Sequence, residues 1–265
     1  MSPSIDLNPH REETTMLPKT VGKGQHSVVY EYPSSVHESF RFTDVFAPLI
    51  SQKSRRVLKC IHDPMAYVSE VRAARELARV DPHQQYIRYA ARAIPHPSKS
   101  AAPAAALHAP FNPPAENNAG MVELLYSGDQ TLEAALHSAS DTKTPLDLIT
   151  ACCWLCDIGE GLLKLEEAWI RHGDLHLRNI MVDGNRAYII DFSKASLGSF
   201  EYPRHYARIA AHILAKAGST SPQIRTLLDL LDPRMNIADF LCTVEDILTH
   251  AIRQKHGVGE GHAAQ

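Results

Sequence analysis

HGDLHLRN, at residues 172–179, and IIDFS, at residues 189–193, are the stretches that decide the fold of this chain. Three polar side chains in them, Asp174, Asn179 and Asp191, stand beside short apolar strands predicted around NIMVD and AYIID. Carboxylate and amide oxygens are the hard ligands that Mg²⁺ takes, and a carboxylate can also accept or orient a hydroxyl proton. Polar groups at the ends of apolar strands indicate a cleft rather than ordinary surface turns. The two stretches therefore predict a metal site with a proton acceptor beside it.

A lysine upstream carries the second signal. Lys59 lies within RRVLKCI, at residues 55–61, which reads as an apolar strand. A lysine that points inward needs an anionic partner, because burying an unpaired ammonium group is costly. The helix predicted over 64–80 offers Glu70, with Glu76 as the alternative. An apolar stripe at helical spacing supports that helix: Val68, Val71, Ala74 and Leu77.

A glycine-containing turn between two strands, within TVGKGQHSVVYEY at residues 20–32, is the third signal. Glycine lets a turn come close enough for its backbone N–H groups to reach phosphate oxygens. The residues expected to lie at the phosphates are Gly22, Lys23, Gly24 and Ser27. Many hairpins use such glycines, so the signal gains weight only from its order along the chain with the other two.

Strand patterns dominate the first half of the chain and helical patterns the second. This predicts an α+β protein of two lobes, a β-rich N-lobe over 17–126 with one main helix and a shortened helical C-lobe over 127–256. The longest helix is expected at 145–169, and three more at 203–217, 221–231 and 236–254. The non-regular segments are expected to be a disordered leader (1–16), an irregular insertion (33–54), an exposed Pro/Ala-rich loop (94–119) and a tail (257–265).

Composition excludes some classes. The net charge of −3 argues against a nucleic-acid-binding protein, and no apolar run is long enough for a membrane helix. Cys153 and Cys156 form one C-x-x-C, but a second pair is missing and the segment is helical, which favours buried thiols over a zinc or redox site. Free thiols indicate a cytoplasmic location. The oligomeric state is left open.

Taken together, these stretches resemble the protein-kinase-like superfamily over roughly residues 20–195. The loop GKGQHSVV, the strand VLK, the strand MVELL, HGDLHLRN and IIDFS match the pattern in order. The resemblance implies ATP and Mg²⁺ between two lobes, with Lys59 holding the α- and β-phosphates and pairing with Glu70. Asp174 would be the catalytic base, and Asn179 and Asp191 the Mg²⁺ ligands. The adenine would lie against Val29, Val57 and Met181, and its edge would meet backbone groups of Glu123 and Leu125.

Several positions depart from the protein-kinase pattern. Gly173 replaces a common arginine, and His176 stands where a lysine near the γ-phosphate is usual, so His176 or Arg178 would supply that charge. HGDLH is similar to the aminoglycoside and choline phosphotransferase branch.

The acceptor that the resemblance favours is a protein Ser or Thr; the alternatives are a small-molecule kinase and a nucleotide-binding pseudokinase. A kinase for amino-alcohols, sugars or aminoglycosides would need an acidic pocket. The acidic residues that could form one, otherwise read as helix caps and solvated faces, are Asp229, Asp232, Asp239, Glu245 and Asp246.

Overall fold

The computed structural model describes residues 19–23, 27–31, 44–46, 55–95, 120–142, 144–200, 202–218 and 221–256. The expected leader, the tail, Gly24 and most of the 33–54 and 94–119 segments lie outside these residues. Within them the chain is a mixed α/β protein with a β-rich N-terminal part and a helical C-terminal part. None of the helices in these ranges is long and apolar enough to cross a membrane.

The N-terminal part is built on one antiparallel sheet with the strand order β1-β2-β4-β6-β5-β3. Its strands are β1 (Lys19–Lys23), β2 (Ser27–Glu31), β3 (Asp44–Val45), β4 (Arg56–Ile61), β5 (Arg92–Pro95) and β6 (Gly120–Leu125). Two of them correct the sequence analysis. β3 lies inside the segment expected to be irregular, and β5 takes in the first two residues of the expected exposed loop, because β3 pairs with β5 and β5 with β6.

Helix α1 (Pro64–Val80) has the predicted bounds. It begins where the Asp63 carboxylate accepts from the N–H groups of Met65 and Ala66, and proline fits the first turn because its missing N–H is not needed there. The predicted apolar stripe is wrong at Val68, which is 45% exposed. Glu70 is buried on this helix instead, because its carboxylate has a charged partner inside the fold.

The helical part is organised around α3 (Leu148–Glu167), the helix expected at 145–169. The side chains of Leu155, Ile158, Leu162 and Leu165 on this helix are fully buried. Burying each such side chain stabilises the fold by about 1.5–3 kcal/mol. The other helices are α2 (Leu132–Asp141), α4 (Tyr202–Ala217), α5 (Pro222–Asp229) and α6 (Ile237–Lys255).

Short strands hold the two decisive stretches in place. A three-stranded sheet joins β10 (Arg186–Ile189), β9 (Ile180–Asp183) and β7 (Gln130–Thr131), and a two-stranded sheet joins β11 (Ser196–Leu197) and β8 (Ile170–Arg171). HGDLHLRN runs from β8 to β9, and IIDFS follows from β10. The hairpin between β9 and β10 brings the two stretches side by side.

Candidate active site

The structure brings Lys59 together with two carboxylates. Lys59 extends from β4 and is 4% exposed, and its Nζ lies 2.9 Å from Glu70 Oε2 and 2.7 Å from Asp191 Oδ1. Of the two glutamates that the sequence left open, Glu70 makes this contact, whereas Glu76 pairs with Arg79 on the surface of α1. The ammonium group therefore joins the N-terminal sheet, helix α1 and the segment after β10.

The charges of this trio are set by burial and by each other. Burial alone would raise the pKa of Asp191, but the Lys59 ammonium and hydrogen bonds from Lys59 and Ser193 hold it far below its usual range. Burial alone would lower the pKa of Lys59, and the two carboxylates reverse that effect and raise it. At neutral pH Lys59 is a cation and Asp191 an anion, which are the states that a phosphate group and a metal ion require.

The backbone at Asp191 has an uncommon conformation. Its φ is 67°, in the left-handed region that few residues other than glycine adopt. The Ser193 N–H donates to Asp191 Oδ1 at 3.3 Å, and the Ile190 N–H donates to the Asn179 carbonyl at 3.0 Å. Strained backbone of this kind concentrates at functional sites because the surrounding structure must hold it.

Asp174 and Asn179 belong to one hydrogen-bonded loop, the catalytic loop of residues 172–179. The Asn179 amide donates through Nδ2 to the Asp174 carbonyl at 2.8 Å, which leaves the amide oxygen Oδ1 as the group that could bind a cation. The Asp174 carboxylate is about one-third exposed. The loop thus presents both an ordered amide oxygen and an accessible carboxylate.

The basic side chains beside Asp174 differ from the expected set. Lys194 Nζ lies 2.8 Å from Asp174 Oδ2, and His176 Nε2 lies 3.8 Å from Asp174 Oδ1. Arg178 points elsewhere and pairs with Glu133 on α2 at 2.6 Å. Sequence reasoning missed Lys194; the available signal was a cation three residues after Asp191, in the place that follows the metal motif.

His172 fixes the geometry between the two stretches from inside the protein. Its Nε2 donates to the Ile190 carbonyl at 2.9 Å, its Nδ1 accepts from the Asp174 N–H at 3.4 Å, and its ring lies 4.9 Å from that of Phe192. The ring is fully buried, and burial lowers its pKa. The neutral tautomer with a proton on Nε2 is the form that satisfies both contacts.

A pH dependence of stability follows from His172. Below the ordinary histidine pKa of about 6.5 the unfolded chain takes up a proton that the folded chain resists, so stability should fall as the pH drops from about 6.5 to 5. The contribution of one group is at most about 1.4 kcal/mol per pH unit. We expect urea unfolding of His172→Gln to show a shallower slope in this window. His83→Gln, at an exposed position, is the control and should leave the slope unchanged. If His172→Gln had the same slope as the unsubstituted protein, His172 would not be the source of the pH dependence.

Position 173, where protein kinases commonly have an arginine, requires glycine because of its backbone conformation. Its φ is 79°, and a Cβ there would lie 2.2 Å from the Lys194 carbonyl oxygen. An arginine, or any residue with a side chain, therefore does not fit between the two loops in this arrangement.

Gly173→Ala should lower the free energy of unfolding by about 3 kcal/mol, through both strain and the clash. Gly184→Ala is the matched control, because Gly184 also has a positive φ, 55°, but no atom lies within 4 Å of the position that its Cβ would take. We expect a loss of about 1 kcal/mol there. Equal losses in chemical denaturation would show that the close approach to Lys194 is not a constraint.

The structure places most of the residues expected around the adenine and the phosphates on the strands of the two sheets. Val29 faces Lys59 across β2 and β4, and Val57 lies two residues before Lys59, so all three share one face of the sheet. Met181, on β9, is half-buried. Gly22 and Ser27 lie in β1 and β2, Lys23 ends β1, and the backbone at Gly22 has room for a Cβ.

Glu123, whose backbone is expected at the adenine edge, lies within the sheet. Its carbonyl accepts from the Ala91 N–H at 2.8 Å within the sheet. Its side chain is fully buried and pairs with Arg92, whose Nη2 lies 2.8 Å from Oε1, and with Arg56 at 3.7 Å. Glu123 faces Leu58 across β4 and β6, on the opposite face from Lys59. The Glu123 side chain therefore belongs to a buried ion cluster, while the contact of the Glu123 and Leu125 backbone with the adenine edge stays a prediction.

A groove of about 570 Å³ runs between α2, the catalytic loop and α4, and Leu175 and His176, the two residues after Asp174, line it. Its lining was not predicted from the sequence, because it combines residues that are far apart along the chain. The acidic residues that would have served a cationic acceptor do not line it; they are exposed on and around α5 and α6. The interpretation of those residues as solvated helix faces is the one that fits the structure.

The mixed α/β arrangement is consistent with a kinase-like fold, and a comparison with protein families indicates a phosphotransferase. Residues 72–202 match the model of the phosphotransferase enzyme family, APH. The match covers 131 of the 265 residues of the chain, and the matched aminoglycoside- and choline-kinase-like family is part of the protein-kinase-like superfamily. The matched segment contains Asp174, Asn179 and Asp191 and begins after Lys59 and Glu70. A search of curated proteins found no match to the chain.

Proposed function

We propose that this protein transfers the γ-phosphoryl group of ATP, with Mg²⁺, to a hydroxyl group. The observation that carries the proposal is the 2.7 Å contact between Lys59 and Asp191, because it joins the strand-rich and helical parts at one point. We propose that these parts are two lobes, 17–126 and 127–256, with the nucleotide between them. A kinase needs a cation and an anion converging there, since phosphoryl transfer depends on positioning and charge neutralisation.

The nucleotide would lie on the sheet face that Lys59 shares with Val29 and Val57. In this arrangement Lys59 pairs with the α- and β-phosphates and Glu70 keeps the ammonium group oriented. Met181 would contact the adenine from the opposite side, and the Leu125 backbone would meet its edge. The connection between β1 and β2, which contains Gly24 and is flanked by Gly22, Lys23 and Ser27, would cover the phosphates with backbone N–H groups.

The donor set suits Mg²⁺, which takes one or two protein oxygens and completes its octahedron with phosphate oxygens and water. Asn179 offers Oδ1, since Nδ2 is already bonded to the Asp174 carbonyl, and Asp191 offers an ionised carboxylate. Bound there, the metal would neutralise charge on the phosphates. Asp174 would orient the acceptor hydroxyl and accept its proton, with the Lys194 ammonium group and the His176 ring beside it.

Two acceptor classes have support. The glycine turn and the strand lysine resemble protein kinases, which favours a protein Ser or Thr. The match to an aminoglycoside- and choline-kinase-like family supports a small-molecule acceptor, and so does the groove beside Asp174, whose volume lies in the range of small-molecule sites. We place the small molecule first, because His176, which lines the groove, lies 3.8 Å from the carboxylate of the proposed base.

The test is incubation of the purified protein with γ-labelled ATP and Mg²⁺, with generic protein substrates in one arm and a panel of small alcohols in the other. Label in small molecules supports a small-molecule acceptor, and label in protein supports a protein Ser or Thr. Asp174→Asn should remove label in either arm. Stabilisation by Mg-ATP without any transferred label would instead support a nucleotide-binding pseudokinase.

A further inference from the structure

The groove beside Asp174 carries an excess of positive charge. Arg178, Arg208 and Lys216 line it as permanent cations, and Glu133 is the carboxylate among its lining residues. Since Glu133 is paired with Arg178 at 2.6 Å, the charges of Arg208 and Lys216 are left over. Neither has a carboxylate within 4 Å among the residues that the structure describes. A positive groove on a chain with a net charge of −3 is a local feature that attracts anions.

Four histidines also line the groove and offer ring nitrogens for hydrogen bonds. His137, on α2, and His205 and His212, on α4, line it together with His176 from the catalytic loop. The Nδ1 atom of His205 is buried and has no hydrogen-bond partner among the described residues. A buried polar atom without a partner is unfavourable, and a hydrogen bond to a polar group of a ligand would remove that cost.

The rest of the lining is apolar. Leucine and isoleucine side chains from three elements complete the walls: Leu136, Leu175, Leu177 and Ile209. Lys216 donates to Ser140 Oγ at 2.5 Å, which holds its ammonium group at the α2 side. The groove is therefore suited to a molecule with an apolar body and an acidic group rather than to a polycation.

The groove is linked to the reacting centre through His176. This side chain lines the groove and also lies 3.8 Å from the Asp174 carboxylate. A molecule in the groove could thus pair its acidic group with Arg208 and Lys216 while its hydroxyl reaches Asp174. From this geometry we infer that the acceptor is a small hydroxyl compound carrying a carboxylate or phosphate group, an inference that rests on the proposed phosphotransferase function.

The reaction balances without a further reactant. The acceptor oxygen forms a bond to the γ-phosphorus, the bond from that phosphorus to the β,γ-bridging oxygen breaks, and ADP leaves. The hydroxyl proton goes to Asp174 and then to solvent. Arg208 and Lys216 act on the anionic end of the acceptor and do not contact the transferred group.

A matched acceptor series tests the inference. Para-hydroxymethylbenzoate, its primary amide and the corresponding benzylamine share one hydroxyl and differ in charge; glycerol phosphate and glycerol form a second pair. With γ-labelled ATP, the anionic members should be labelled at least about tenfold faster than the neutral and cationic ones, because a charge-assisted hydrogen bond contributes about 1.5–3 kcal/mol. Arg208→Gln should raise KM for the anionic acceptors by a similar factor. Arg204→Gln is the control, since Arg204 is exposed on the same helix and does not line the groove.

A binding measurement separates failure of this inference from failure of the proposed function. Equal or faster labelling of the amide, the amine or glycerol would overturn the anionic acceptor while supporting phosphoryl transfer. If no acceptor is labelled, thermal stabilisation by para-hydroxymethylbenzoate shows whether the groove binds an anion. Stabilisation that is present in the unsubstituted protein and lost in Arg208→Gln supports an anion site without transfer, and its absence in both overturns the site.

Discussion

Lys59→Met is expected to lower kcat/KM for ATP by about 10²–10³-fold, the loss typical when one preorganised electrostatic group is removed from a transition state. The substitution keeps most of the aliphatic stem and removes the ammonium group that lies between Glu70 and Asp191. It should also destabilise the fold by about 3–5 kcal/mol, because two carboxylates are then left without their buried cation. Steady-state kinetics and urea unfolding measure the two effects separately.

Lys164→Met provides the matched control. Lys164 also forms an ion pair, with Glu167 at 2.7 Å, but near the surface of α3. Exposed pairs contribute at most about 1 kcal/mol, so both its stability and its kinetics should stay close to those of the unsubstituted protein. Undiminished phosphoryl transfer by a folded Lys59→Met protein would exclude the proposed role of Lys59.

Substitution of the two aspartates of the candidate site should have different effects on turnover and on nucleotide binding. Asp174→Asn should lower kcat by about 10²–10⁴-fold, the usual contribution of a general base, while Mg-ATP still raises the melting temperature. Asp191→Asn should remove the Mg²⁺-dependent part of that stabilisation, because a neutral amide replaces an ionised carboxylate whose pKa is held far below its usual range. Thermal melts with ATP, with and without Mg²⁺, distinguish the two variants.

Asp183→Asn is the control for this pair, because Asp183 is exposed at the end of β9, one hairpin away from Asp191. It should resemble the unsubstituted protein in both assays. Loss of Mg²⁺-dependent stabilisation in Asp174→Asn together with its retention in Asp191→Asn would reverse the proposed roles of the two residues.

The bounds of the regular elements followed closely from local patterns. Helix α1 matches its predicted range because a capping aspartate and an early proline mark its start, and α3 is close to its prediction because four leucine and isoleucine positions repeat at helical spacing. The short strand β3 could not be recognised, since two residues carry no period and its pairing with β5 depends on a distant segment.

The candidate site could be predicted from the sequence at those positions where the proposed chemistry needs one particular type of residue. The order of a strand lysine, a helix glutamate, an Asp…Asn loop and a second aspartate indicates a nucleotide–metal site, and the structure pairs the lysine with Glu70 and Asp191 and bonds Asn179 to Asp174. The buried ion cluster that the Glu123 carboxylate forms with Arg56 and Arg92 on paired strands was not predicted. Cross-strand partners of this kind are set by sheet order, which local sequence does not encode.

The sequence by itself predicted the class of chemistry that we propose, because phosphoryl transfer demands a few charged residues in a fixed order. Only the tertiary structure decided that Glu70 rather than Glu76 meets Lys59, that Lys194 lies beside Asp174, and that Arg178 is paired with Glu133. It also assembled a positive groove from α2, the catalytic loop and α4. The physical reason is that charge pairs and groove linings depend on distances between segments, which are fixed when the core packs.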